Sequence, residues 1–309
     1  MKGKRVAVTG GAGFIGSNLA DELATSNSVV IIDDLSTGRK ENIKELLKKD
    51  NVKFIQGSIT DLSLLQKLFQ GVDYVFHQAA LARVPRSIED PLTTNEVNIK
   101  GTLNVLLAAR ENRIRKVIYA SSSSIYGGAS SLPQREDMPP DPLSPYALTK
   151  LAGEYYCSIF SQIYGLSTVC LRYFNVYGSR QDPHSQYATA ITAFIGRISQ
   201  NLPPIIFGDG GQSRDFTFVE DVVQANILAA ENNAEGVYNI GSGKDTTINR
   251  LAEIILNLMQ KDLKPIHEKP RLGDPRHSLA DISKAKGFGY QPKWTLEQAI
   301  NRTIKELRQ

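Results

Sequence analysis

Cysteine is almost absent from this chain. The two that occur among 309 residues, Cys157 and Cys170, show no paired spacing, which excludes a disulfide framework and a zinc or redox motif and leaves two reduced, structural thiols. The four histidines, His77, His184, His267 and His277, are scattered too, so no metal site is expected. No apolar run approaches the roughly 18 residues needed to cross a bilayer. The opening MKGKRVAVTG enters a strand-like pattern without an apolar leader, so the expectation is a soluble, cytoplasmic protein with no membrane partner. Charge of one sign is not in excess: 36 basic residues face 32 acidic ones, and the net +4 is spread without a basic block. Nucleic acid is therefore not the expected partner, since a basic stripe with interleaved stacking aromatics is missing.

What is present is an ordinary globular composition, 41% hydrophobic and 22% charged, long enough for two lobes or one enlarged α/β domain. Short β-branched runs alternate with helical patterns: RVAVTG, SVVIID, VKFIQG, DYVFHQAA, KVIYASSS and STVCLRYFN, with helices expected at about 16–26, 61–70, 95–112 and 146–164. That order predicts parallel βαβ units. The strands are nearly continuous in apolar residues, as required when helices cover both faces of a sheet. The expected fold is an α/β, doubly wound parallel sheet of Rossmann type over residues 1–175, rejoined by 217–241. After Asn175 the density of turns, prolines and arginines rises, which predicts a smaller α/β substrate lobe over 176–309. The last helix, TLEQAINRTIKEL, opens with Thr295 and Gln298 at capping-box spacing.

VAVTGGAGFIG puts Gly10, Gly13 and Gly16 on the turn between the first strand and the first helix. Backbone amides there, including those of Phe14 and Ile15, can hold a pyrophosphate that side chains would keep out. A lone GxGxxG is weak, but a second strand ends in Asp33, 17 residues after Gly16, where a carboxylate accepts the ribose hydroxyls. That carboxylate repels a 2′-phosphate and favours NAD over NADP, although Arg39 nearby leaves NADP open. Ser58, Ile59, Gln78, Ala79 and Ala80 lie at further strand ends, where open α/β sheets bind ligands.

SPYALTK sets Tyr146 and Lys150 four residues apart, on one face of a helix started by Pro145. An ammonium beside a phenol favours phenolate; moving a phenol from ~10 to ~7 takes about 4 kcal/mol, which Lys150 and a cationic nicotinamide are expected to supply in a dry cleft. YxxxK by itself is common on surfaces. With the glycine turn upstream and YASSSSIYGG between them, the chain resembles the extended short-chain dehydrogenase/reductase family from end to end, through TGGAGFIG, HQAA, SSSSIYG, YALTK, LRYFNVYG, GDGGQSRDF and RLGDPRHSLADISKA. Within it, VPRSIEDPLTTNEVNIKGT and RYFNVYGSRQDP are most similar to the UDP-sugar 4-epimerases, particularly those acting on UDP-N-acetylhexosamines.

The resemblance implies that Tyr146 takes the proton of the sugar 4-hydroxyl while hydride leaves C4 for NAD, and that the 4-keto sugar turns over and is reduced on its other face. It makes Lys150 the group that holds the nicotinamide ribose, and Ser122, with Ser123 beside it, the hydroxyl at the sugar. It extends the cofactor set to Asp34, Leu35, Ser36, Thr37, Gly38, Asn98 and Tyr173. Asn175, Arg214, Arg271 and Asp274 match positions holding the nucleotide diphosphate sugar, and Ser278, seven positions after Arg271, becomes the wall facing C2. A small residue there implies interconversion of UDP-GlcNAc and UDP-GalNAc, together with UDP-glucose and UDP-galactose. In QGSITD, Ser58 stands where relatives often carry an aspartate toward adenine. Related 4,6-dehydratases carry Asp-Glu before the YG aromatic, and the UDP-glucuronate decarboxylases a Glu; Ser123-Ser124-Ile125 here leaves oxidation and re-reduction at one carbon.

Two alternatives remain at this level. Arg83 and Arg86 could meet a C6 carboxylate, making a UDP-uronic acid the substrate, although Arg86 could equally pair with Glu89. A non-catalytic NAD sensor of the same fold should have lost the Tyr or the Lys, and both are present. The resemblance also implies a homodimer through the helices near 95–112 and 146–164.

Overall fold

The structure is a computed structural model that describes residues 1–128, 131–181, 189–270 and 276–307. Arg271 and Asp274, both expected at the substrate, lie outside the described residues.

Seven parallel strands form the central sheet: β1 (Arg5–Thr9), β2 (Ser28–Asp33), β3 (Val52–Gln56), β4 (Tyr74–His77), β5 (Lys116–Ser122), β6 (Thr168–Tyr173) and β7 (Gly236–Ile240). Their spatial order is β7-β6-β5-β4-β1-β2-β3. The chain runs outward from β1 to β3 and then returns to the other side of β1. A crevice therefore opens between the carboxyl ends of β1 and β4, where open α/β sheets bind ligands. Successive β1 residues feed opposite layers: Val6 and Val8 pack with Leu19 and Val222, whereas Ala7 packs with Val105 and Phe160. Burial on both faces accounts for the continuous apolar runs, each fully buried Val, Ile or Leu contributing about 1.5–3 kcal/mol. Among the described residues no helix is long and apolar enough to cross a membrane.

β7 joins the sheet, pairing parallel with β6 from Gly236–Val169 to Ile240–Tyr173. A separate core of Tyr177, Phe194, Phe218, Leu251, Ile255 and Ile300 fills the second lobe. There Ser213–Asp215 is the middle of three short strands, between Asp245–Thr247 and His277–Ser278. The final helix, Leu296–Leu307, carries the expected capping box: Gln298 N donates to Thr295 Oγ1 (3.3 Å) and Thr295 N to Gln298 Oε1 (3.2 Å).

One expected helix is more elaborate. The segment expected at 95–112 begins at Pro91, passes through a π-helical stretch, Glu96–Lys100, and continues as Gly101–Glu111. Asn98 in that stretch is buried and grips Leu81: Asn98 Nδ2 donates to Leu81 O (3.1 Å) and Leu81 N to Asn98 Oδ1 (2.8 Å).

Candidate active site

The β1–helix turn is built by steric necessity. Gly10 has φ +68°, and a Cβ on it would lie 2.6 Å from the Ala79 backbone, where β1 and β4 end side by side. A Cβ on Gly16 would collide with the Gly10 carbonyl. Helix Phe14–Leu23 starts from Gly13, which offers no capping side chain. Its first internal bond is Ser17 N to Gly13 O, so the amides of Phe14, Ile15 and Gly16 precede the helical ladder, at a dipole end that favours an anion.

These residues line a cavity of about 350 Å³, with Asp33, Asp34, Ser36 and Thr37 at one end and Tyr146 and Lys150 at the other. Ala12 N (2.9 Å) and Leu35 N (2.8 Å) donate to the Asp33 carboxylate. Burial raises its pKa, and those two amides oppose the rise. Leu35 and Gly38 thus shape Asp33 from behind, since a Cβ on Gly38 would lie 2.6 Å from Asp33 Oδ1. An uncapped helix end, a glycine floor and a fixed carboxylate are the donor and acceptor set a dinucleotide requires.

Two residues expected at the cofactor have partners within the protein. Gly57 and Ile59 form the wall, while the Ser58 hydroxyl accepts from the Thr60 amide (3.3 Å) and hydroxyl (3.0 Å). Ser58 thus closes its own turn, as a serine at that position tends to do. Asn98 lies behind the cleft: besides Leu81 it bonds Thr149 Oγ1 (3.0 Å), which donates to Tyr146 O (2.8 Å). It holds the start of the helix Pro145–Tyr164 in place from that position.

Helix Pro145–Tyr164 starts at Ser144, whose hydroxyl accepts from Ala147 N (3.1 Å), with Pro145 at its first position. The Tyr146 amide donates to Ser87 Oγ (3.1 Å). Tyr146 and Lys150 therefore face the cleft together, as their spacing predicts. The protein surroundings act on both groups. Lys150 Nζ donates to Ala120 O (2.7 Å) and lies over the Tyr119 ring at 5.0 Å, and burial pushes its pKa down to about 8. Burial raises the Tyr146 phenol, and the Ser122 hydroxyl, within hydrogen-bonding reach, is what pulls it back. The reason is desolvation: both groups sit in a low-dielectric layer that disfavours charge on either.

β5 orients the serines differently. Ser121 is buried and donates to Glu154 Oε1 (2.5 Å), so its neighbour Ser122 points the other way, toward Tyr146. Ser122 Oγ accepts from the Ser124 amide (3.2 Å) and hydroxyl (2.9 Å). Ser123 opens the next turn, Ser123–Tyr126, and both serines line the neighbouring cavity. Ser122→Ala is expected to lower kcat by about tenfold or more, whereas Ser123→Ala stays within about twofold. Steady-state rates of the two variants check this, and equal losses would contradict the assignment.

That second cavity, about 410 Å³, shares Tyr146, Ser121, Tyr173 and Ile15 with the first and is lined further by Ser122, Asn175, Arg214 and Ser278. The Tyr173 hydroxyl is held by Asn226 Nδ2 (2.8 Å) and Gln78 Nε2 (3.2 Å), which commits it to shaping the junction of the two cavities. Arg214 is buried, its Nη1 donating to Ser213 O (2.8 Å), and pairs in register with Ser278. Arg83 lines the first cavity rather than the second.

Several lining residues escaped the sequence reading. Arg180, with φ +66°, reaches the first cavity from the second lobe and donates to Ser17 O (2.7 Å) and Asp21 Oδ2 (2.7 Å). Asn42 donates to Ala12 O (2.9 Å). Partners of Arg180 about 160 positions away leave no local signal. The serine pattern at 121 and the i+4 continuation from Lys150 to Glu154 were legible signals for the Ser121–Glu154 contact.

Comparison with known proteins agrees with this architecture. Residues 6–241 match the model of the NAD dependent epimerase/dehydratase family. The chain is 44% identical to a UDP-N-acetylglucosamine 4-epimerase from Methanobrevibacter ruminantium M1, solved in complex with UDP-N-acetylmuramic acid, with a TM-score of 0.97 over 100% of this chain and 99% of that one. A UDP-glucose 4-epimerase from Mycolicibacterium smegmatis is 39% identical over 98% of both chains. A UDP-glucuronate 4-epimerase from Thermodesulfobacterium geofontis is 36% identical, covering 96% of this chain and 94% of that one. With a family match across most of its length and relatives aligned from end to end, the chain belongs to the NAD dependent epimerase/dehydratase family.

Proposed function

We propose that this chain is a UDP-sugar 4-epimerase that interconverts UDP-N-acetylglucosamine and UDP-N-acetylgalactosamine, and also UDP-glucose and UDP-galactose. The observation carrying this reading is the pair of cavities that meet at Tyr146, one built for a dinucleotide and the other walled by Ser122, Arg214 and the small Ser278. NAD, when bound, would supply a reversible hydride acceptor for C4. Tyr146 holds the proton of the 4-hydroxyl, and Ser122 orients that hydroxyl and the phenol. Lys150 and the amides of Phe14, Ile15 and Gly16 supply positive charge and donors for the cofactor's ribose and pyrophosphate. Arg214 suits the substrate diphosphate, because a guanidinium fork makes paired charge-assisted bonds. Pairing of two copies belongs to the same reading and is supported by the exposed Leu148, Tyr155, Ile159 and Ile163 on the outer face of the Pro145–Tyr164 helix.

Substrate breadth rests on Ser278, buried on the wall of the second cavity. Ser278→Tyr is expected to abolish turnover of UDP-N-acetylglucosamine while sparing UDP-glucose, because the larger ring takes the volume an N-acetyl group needs. Equal loss of both substrates would count against it. UDP-uronate specificity is disfavoured because neither Arg83 nor Arg86 lines the second cavity. The direct test incubates purified protein with each UDP-sugar, with and without added NAD, and identifies products by NMR. C4 epimers of the N-acetylated and plain sugars are expected; no C4 epimer from any of them overturns the reading.

A further inference from the structure

Asp215 follows Arg214 in the motif GDGGQSRDF, and nothing above gives it work. It is a wholly buried carboxylate in the middle strand of the small sheet. Four donors converge on it: Ser242 N (2.7 Å) and Ser242 Oγ (2.7 Å) on Oδ1, Gly243 N (3.0 Å) and Ala280 N (3.2 Å) on Oδ2. Ser242 and Gly243 leave the end of β7 in the dinucleotide sheet, and Ala280 lies two residues beyond Ser278. Its backbone carbonyl accepts a fifth bond, from Asn175 Nδ2 (3.0 Å).

The packing leaves the carboxylate no slack. A Cβ on Gly241 would lie 2.7 Å from Asp215 Oδ2 and 2.6 Å from the Ala280 side chain. Arg214 is covalently next to Asp215 and in register with Ser278. One buried group thus ties together the three residues that line the far side of the second cavity, Asn175, Arg214 and Ser278, and anchors them to the sheet that carries Tyr146's partners. A carboxylate is suited to this because it is acceptor-only and offers about four lone-pair directions, matching the four donors.

We propose that Asp215 is a positioning residue for the nucleotide end of the substrate: it acts through Arg214, Asn175 and Ser278 and sets how tightly the UDP-sugar is held. This rests on the UDP-sugar reading above. Asn at this position keeps the shape but turns one acceptor into an NH₂ group, so whichever way the amide faces, at least one backbone N–H that bonded the carboxylate meets another donor. The wall loosens while the Tyr146–Ser122–Lys150 cluster, held by other elements, is untouched.

The experiment compares Asp215→Asn with the wild-type enzyme for KM and kcat with a UDP-sugar, for UDP affinity by calorimetry, and for retained NAD. A KM raised by about tenfold or more is expected, with UDP affinity falling in parallel and kcat at saturation within about twofold. A merely structural residue would lower thermal stability and kcat without this split. An unchanged KM and UDP affinity, or a loss confined to kcat, overturns the proposal. Should Asp215→Asn not fold, Ser242→Ala removes only one of the four donors. It is then expected to raise KM by about two- to fivefold, and an unchanged KM overturns the proposal equally. If the wild type epimerises no UDP-sugar, the functional reading fails by itself, and the UDP titrations of wild type and variant still decide the role of Asp215.

Discussion

Tyr146→Phe is expected to lower kcat for C4 epimerisation by about two to four orders of magnitude while KM changes little, because the phenolic oxygen is lost from a site otherwise intact. The ring stays in its buried place and the helix start at Ser144 and Pro145 does not involve the hydroxyl. The Ser122 hydroxyl is left facing a hydrogen atom and cannot itself reach phenol-like acidity. The wild-type enzyme should also show an alkaline limb. Burial holds the Lys150 pKa down to about 8, so the ammonium is intact below that pH and lost as pH rises through it. Rate then falls with rising pH, since the ammonium proposed to hold the cofactor ribose loses its charge. A pH–rate profile of kcat with one UDP-sugar checks this limb. A Phe variant keeping more than about a tenth of wild-type activity would contradict the assignment of Tyr146.

Arg172→Met is expected to cost about 3–5 kcal/mol of folding stability, because it leaves a carboxylate buried without its partner. Glu154 continues the face of Tyr146 and Lys150 by one more turn. It receives Arg172 Nε (2.8 Å) and Nη2 (2.7 Å) as a fork, as well as the Ser121 hydroxyl. The pair is about 95% buried on both sides, and Arg172 also lies over the Tyr126 ring at 4.7 Å. Against a typical total of about 5–15 kcal/mol, such a loss takes a large share of the stability. Glu154→Leu combined with Arg172→Met should recover most of it, since two apolar side chains remove both stranded charges. Denaturant midpoints of the single and double variants measure the difference. A single variant within about 1 kcal/mol of wild type would show that water reaches the carboxylate.

The parallel sheet, the glycine turn, Asp33 and the Tyr146–Lys150 pair were all legible because each is written in a short window. Continuous apolar runs, a strand-to-helix turn with fixed glycine spacing and an i,i+4 pair are local consequences of backbone geometry. The return of β7 to the sheet was legible for a similar reason, as one more helix–strand unit. What no short window states is environment. Burial acts on both Tyr146 and Lys150, and Ala120 O receives the ammonium. Ser58 and Asn98 each bond backbone groups nearby.

The four serines mark the division most clearly. A run of serines ending a strand states that alternate hydroxyls face opposite sides of the sheet, because the pleat has a period of two. It does not state which side is which. Arg172 on the neighbouring strand and Glu154 on the covering helix draw Ser121 inward, and that leaves Ser122 for the cleft. The same holds for Asp215, whose four donors come from segments 27 to 65 residues away. The sequence alone determined the elements, their order and the chemistry available at the cleft. The tertiary structure decided which hydroxyl, carboxylate or ammonium is exposed to that chemistry, because burial and distant partners set the orientation and pKa of each group.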